Sequence, residues 1–138
     1  MLRRLQERRG ALTDESAFTL IELLVVLIII GVLLAIAVPS YLGFKQKAEQ
    51  TAAASDVREA IPSAEAFYSD NNNSYAAITA AGLKAYDSGI STALQTVKPE
   101  NSGAGYCISA KVGAQWAHVV GPGGQVSLDG PAAADPCP

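Results

Sequence analysis

Histidine is almost missing from this chain: His118 is the only one among 138 residues. A zinc site needs several imidazole or thiolate ligands, and an imidazole base needs a partner that orients it, so a lone histidine in a strand-like run reads as structural. Phosphate loops are missing as well. No G-x-x-x-x-G-K-[ST] string occurs, and any energy for movement of this chain must come from a partner ATPase. Charged residues make up only 17%, with a formal net charge of -3 and a pI of about 5.0. That balance builds no basic field, and no nucleic-acid partner is expected. With no catalytic set, no metal ligands and no cofactor motif, the sequence reads as a non-enzymatic protein that needs no cofactor.

What the chain does have is one long apolar run. Residues Phe18 to Val38, F-T-L-I-E-L-L-V-V-L-I-I-I-G-V-L-L-A-I-A-V, contain a single charge, Glu22, and nothing charged follows until after Phe44. At ~1.5 Å per helical residue this run can cross a hydrocarbon core of ~30 Å. An acid inside such a helix is costly unless something pairs with it, so Glu22 is the informative residue. Arg3, Arg4, Arg8 and Arg9 precede the run, which keeps the N-terminus cytoplasmic and places the C-terminal portion outside. Cys107 and Cys137 then lie in an oxidising compartment and are expected to form one disulfide.

Two processing sites fit the run. A-I-A at Ala35 to Ala37 is a small-x-small pattern that a signal peptidase could cut before Val38, releasing a secreted soluble binding domain. Against it, the apolar run is longer than the roughly 7 to 15 residues of a signal peptide and contains Glu22. The second site lies before the run. The string A-F-T-L-I-E-L-L, Ala17 to Leu24, resembles the N-terminal processing motif of type IV prepilins and type II secretion pseudopilins.

That resemblance implies a set of roles. A prepilin peptidase would cut between Ala17 and Phe18 and methylate the new Phe18 amine, with Glu22 as the family's acid four residues on. Gly31 and Pro39 match the family's helix-loosening positions. The sequence departs from the pattern at Ala17, where glycine is usual, and at Asp14 and Glu15, where basic residues are more common. Gly10, with Glu15 at matching spacing, is a decoy, because cutting there would leave a polar stretch ahead of the apolar run. The fold implied is α+β, the type IV pilin fold: one long N-terminal helix whose C-terminal half packs on a small antiparallel sheet. The function implied is a structural subunit of a type IV pilus, a homo-oligomeric helical filament. The subunit would wait in the cytoplasmic membrane and be extracted by an assembly platform with its ATPase into an extracellular pilus. A minor pilin or a type II secretion pseudopilin is the alternative within the family. Glu22 would pair with a neighbouring subunit's Phe18 amine and set register.

The rest of the chain divides accordingly into a leader at 1–17, a membrane and filament-core helix at 18–39, its amphipathic continuation at 40–70, and a head at 71–138. Pro39, with Gly31 before it, predicts a kink or melted turn, and Pro62 a bend. Ala53, Val57, Ala60, Ile61, Ala64, Phe67 and Tyr68 recur at three- and four-residue spacing and predict one buried stripe. Tyr41, Phe44 and Ala48 lie on another face, expected to meet other subunits. Asn71, Asn72 and Asn73 predict the helix end, because asparagine tolerates a left-handed cap. Residues Ser74 to Gly103 read as a connection with a short helix and a possible short strand. Tyr106 to Val112, Gln115 to Val120 and Gln125 to Leu128 alternate with period two and predict an antiparallel meander, with Cys107 in its first strand. Ile108, Trp116, Val119 and Leu128 are expected to cover the helix stripe. G-P-G-G at Gly121 to Gly124 reads as a hairpin turn, and Asp56, Glu59, Glu65 and Asp70 as a solvated acidic face.

Overall fold

A computed structural model describes residues 18–131 and 134–137; the expected leader and its Ala17 cleavage position lie outside the described residues. Contacts divide the chain between Ser40 and Tyr41 into two units, to both of which the helix α1, Leu20–Asp70, contributes.

In the first unit every described side chain is exposed, including Phe18, Ile21, Leu33 and Ile36. The helix here is long and apolar enough to cross a membrane. Nothing within the unit covers it, as expected of a surface meant for lipid or for other apolar helices. Gly31 and Pro39 both lie within helical residues, so no melted turn interrupts this form. Pro39 withholds the one N–H that the Ala35 carbonyl would accept, and one missing bond is tolerable where the rest of the turn is hydrogen-bonded.

In the second unit, α1 buries Ala53, Ala54, Val57, Ala60, Ser63, Ala64 and Phe67. Most of these are small, and they share one buried cluster with residues of the sheet. The helix stops where expected: Asn72 and Asn73 both adopt φ 54°, and the Asn73 N–H reaches the Tyr68 carbonyl at 3.0 Å. A second helix, α2, spans Ala80–Tyr86 and is capped by Thr79, whose hydroxyl accepts from the Gly82 N–H at 3.1 Å.

Four strands follow rather than three: β1 Leu94–Glu100, β2 Gly105–Val112, β3 Gln115–Gly121 and β4 Ser127–Gly130. They pair antiparallel in sequence order. The possible short strand in the connection is therefore the sheet's first strand, and Cys107 sits in the second. A two-residue turn, Gly113 and Ala114, joins β2 to β3, with Gly113 at φ 58° as the first turn residue of a type II′ hairpin requires. Ile108 faces Val97 on one side and Val119 on the other. With Tyr106, Ala110 and Ala117, these residues close over the α1 stripe. Full burial of Ile108 or Leu83 stabilises the head by about 1.5 to 3 kcal/mol each.

Two expectations for the sheet fail. Leu128 lies on the short edge strand and is 56% exposed. Trp116 is buried, but as the cross-strand partner of Lys111 it lies on the face away from α1, with the Lys111 ammonium 5.0 Å from its ring centre. That second face is only partly solvated. Strand β2 is buried on both sides from Gly105 to Ala110, because the chain's end folds back across Cys107 and Ser109.

Candidate functional site

The start of α1 is a capping box written in the residues T-L-I-E. The Thr19 hydroxyl accepts from the Glu22 N–H at 3.3 Å, while Glu22 Oε2 accepts from the Thr19 N–H at 2.9 Å and from the Thr19 hydroxyl at 2.7 Å. Helix starts leave four N–H groups without partners, and this reciprocal exchange satisfies two of them. Glu22 is therefore held in place by its own chain. The sequence signal, threonine followed three residues later by glutamate before an apolar run, was there to be read. Only Oε2 is used; Oε1 makes no hydrogen bond among the described residues. One oxygen of the only carboxylate on this apolar surface is thus available to a cation from elsewhere. Phe18 stands beside it with its ring 81% exposed.

The head is fastened to its part of α1 through another carboxylate. Glu65 accepts from the Tyr75 hydroxyl at 2.9 Å and from the Tyr106 hydroxyl at 3.1 Å. Tyr75 stacks on Tyr68 at 4.7 Å and meets Tyr106 edge-on at 4.9 Å. Glu65, expected on a solvated face, is instead the acceptor of a tyrosine cluster built by α1, the following loop and β2. Burial, then the hydrogen bond and negative charge of Glu65, push the Tyr75 hydroxyl up to about 12. The same causes raise Tyr106 further.

Cys107 and Cys137 are joined in a disulfide, as expected. Asp135 holds the tail beside it, accepting from the Thr96 hydroxyl at 2.6 Å and from the Cys137 N–H at 2.9 Å. Burial opposes the charge of Asp135, but these donors and the Lys98 ammonium outweigh it and lower its pKa. The Ser109 hydroxyl lies beside this carboxylate and adds to the effect without reaching hydrogen-bond geometry.

His118 meets Asp129 at 2.6 Å and is the direct cross-strand neighbour of Ser109. Serine, histidine and aspartate on adjacent strands have the residue types of a hydrolytic triad, but not its geometry. Ser109 is fully buried and its hydroxyl has no hydrogen-bond partner among the described residues, so there is neither an activated nucleophile nor room for a substrate. No group of metal-ligating side chains occurs among the described residues.

Residues 12–38 match the model of the prokaryotic N-terminal methylation motif. The chain carries this motif and is similar to pilins and pseudopilins. Its relatives include the type II secretion system core protein G of Aeromonas hydrophila, 41% identical over 71 residues, which are 51% of this chain and 46% of that protein. The core protein G of Pectobacterium carotovorum is 40% identical over 86 residues, 62% of this chain and 51% of that protein. A type IV wide pilus major component of Thermus thermophilus is 29% identical over 100 residues, covering 70% of this chain and 73% of that protein. The chain thus spans about half the length of the core protein G relatives it matches. No solved structure matches it. The long helix against a small antiparallel sheet agrees with the α+β pilin fold.

Proposed function

We propose that the chain is the subunit of a type IV pilus filament, assembled from the cytoplasmic membrane through its apolar helix. The observation that carries this reading is Glu22: a lone carboxylate at the start of an uncovered apolar helix, fixed by Thr19 through one oxygen and open at the other. Cleavage before Phe18 by a prepilin peptidase gives an N-methylated amine one turn from the family's acid. In the membrane, the capping box satisfies part of the carboxylate. In the fibre, a neighbour's amine takes Oε1, and because an unpaired charge among apolar helices is costly, only the register that supplies the amine is stable. Gly31 and Pro39 mark where the helix can lengthen on extraction by the assembly platform and its ATPase.

A secretion pseudopilus is the second reading, favoured by the core protein G relatives in the comparison. The match to the Thermus thermophilus pilus component, which covers 73% of that protein, supports the pilus reading beside it. N-terminal sequencing tests the shared part. Methylated Phe18 is expected, and a chain beginning at Val38 would mean a secreted soluble domain. Surface fibres recovered by shearing then separate a pilus from a periplasmic pseudopilus. Glu22→Ala should leave the chain in the membrane and abolish fibres; fibres at normal yield would remove the registry role.

A further inference from the structure

In the second unit, the solvent side of α1 carries charges sorted by sign. Lys47, Arg58 and Glu59 are exposed and Asp56 is partly so, and none forms an ion pair among the described residues. Lys45 differs, being engaged with Glu49 at 3.8 Å. At ~100° per helical residue, Lys47 and Arg58 fall within about 20° of each other, while Asp56 and Glu59 centre about 140° further round. Between the two edges runs a strip of exposed Thr51, Ser55 and Pro62. The opposite side of the helix is the buried stripe. A helix face designed only for water pairs opposite charges at three- and four-residue spacing. Here the three-residue neighbours Asp56 and Glu59 repel, and neither Lys47 nor Arg58 has an acid three or four residues away on its exposed edge.

We infer that this face docks a second, parallel copy of the chain, staggered along the axis by about 9 to 12 helical residues so that Lys47 on the basic edge of one copy lies level with Asp56 or Glu59 on the acidic edge of the next. The inference rests on the filament reading and names the contact that reading leaves open. A basic neighbour relieves the Asp56–Glu59 repulsion. A common membrane orientation keeps the copies parallel. Each copy has one basic and one acidic edge, so a pair keeps the acidic edge of one copy and the basic edge of the other free for further copies, and the contact repeats.

Two variants of the full-length chain test it. Lys47→Glu with Arg58→Glu makes both edges acidic; Asp56→Lys with Glu59→Lys makes both basic. Each alone should lower the yield of sheared fibres, or of membrane multimers trapped by a zero-length carbodiimide, at least about tenfold. Co-expression should restore the yield, with cross-links only between unlike chains. In the wild type, isotope-mixed chains should show Lys47 joined to Asp56 or Glu59 of another copy. Normal assembly of either variant alone would overturn the inference. So would failure of the mixture to assemble when both variants are processed at Phe18 and melt like the wild type. In those cases the filament reading survives, because the wild type still forms fibres and Glu22→Ala still loses them. A wild type with neither multimers nor a processed Phe18 would overturn both.

Discussion

Gly121→Ala should damage the head by driving a methyl group into its packed interior. A Cβ built at Gly121 falls onto the Tyr106 ring, in contact with Cζ, Cε1 and the hydroxyl. The ring cannot turn aside, since Tyr106 is 1% exposed, bonded to Glu65 at 3.1 Å and wedged against Tyr75 at 4.9 Å. Overpacking of a tight core costs about 1 to 3 kcal/mol. Expelling the ring instead would forfeit a hydrogen bond to a carboxylate, about 1.5 to 3 kcal/mol, and an aromatic contact of about 0.5 to 1.5 kcal/mol. Since the core will take whichever route is less costly, about 2 to 3 kcal/mol is expected. For a head of this size that lowers Tm by about 8 °C or more. Thermal melting of the full chain in detergent, followed by near-UV circular dichroism of the tyrosines, measures it. Tyr106→Leu should absorb most of the penalty, so the two substitutions together should cost less than their sum. A melting change under about 2 °C for Gly121→Ala, or strict additivity with Tyr106→Leu, would refute the packing account.

Alkaline titration should separate Tyr75 and Tyr106 from the other tyrosines. Their folded pKa values are raised, so their contribution to stability is complete below about 10, the ordinary tyrosine value, and is lost as pH rises toward the folded value of about 12 for Tyr75. Phenolate absorbance should show two tyrosines ionising late, together with unfolding, and Glu65→Gln should bring that transition to lower pH. Asp135 has the opposite sign: its folded pKa is lowered, so its stabilisation is present above about 3.9 and disappears as pH falls below that. Asp135→Asn should cost about 1 to 2 kcal/mol at neutral pH, reckoned from two hydrogen bonds to a partly exposed carboxylate, and should flatten the acid limb of stability against pH. Replacing Cys107 or Cys137 by serine opens a loop with a sequence separation of 30 and should cost about 3.5 kcal/mol. Identical melting with and without reductant would contradict it.

The apolar helix, its single acid, the buried stripe of α1 and the asparagine cap were all legible in the residues, because each is a local pattern. A 3.6-residue period, an uncharged run of membrane length and tolerance of positive φ need no knowledge of distant neighbours. The disulfide partners were legible by elimination once the compartment was inferred, since there are only two cysteines. The capping box was equally local and could have been read from threonine and glutamate three residues apart.

What only the tertiary structure decided lies where one position serves two neighbours. Strand β1 carries a proline and a bulge and has a weak alternation, so its place in the sheet emerges only from its pairing with β2. Trp116 fits either face of a strand, and the register with Lys111 and Gly130 settles which. Glu65 reads as one more surface acid until two tyrosines from distant parts of the chain close on it. Gly121 reads as a turn glycine until the Tyr106 ring occupies the space its side chain would need. The sequence determined by itself that this chain carries an apolar helix of membrane length with one acid near its start, because hydrophobicity and charge act residue by residue. The head required tertiary structure, because packing and carboxylate–tyrosine hydrogen bonds arise between residues far apart in the chain.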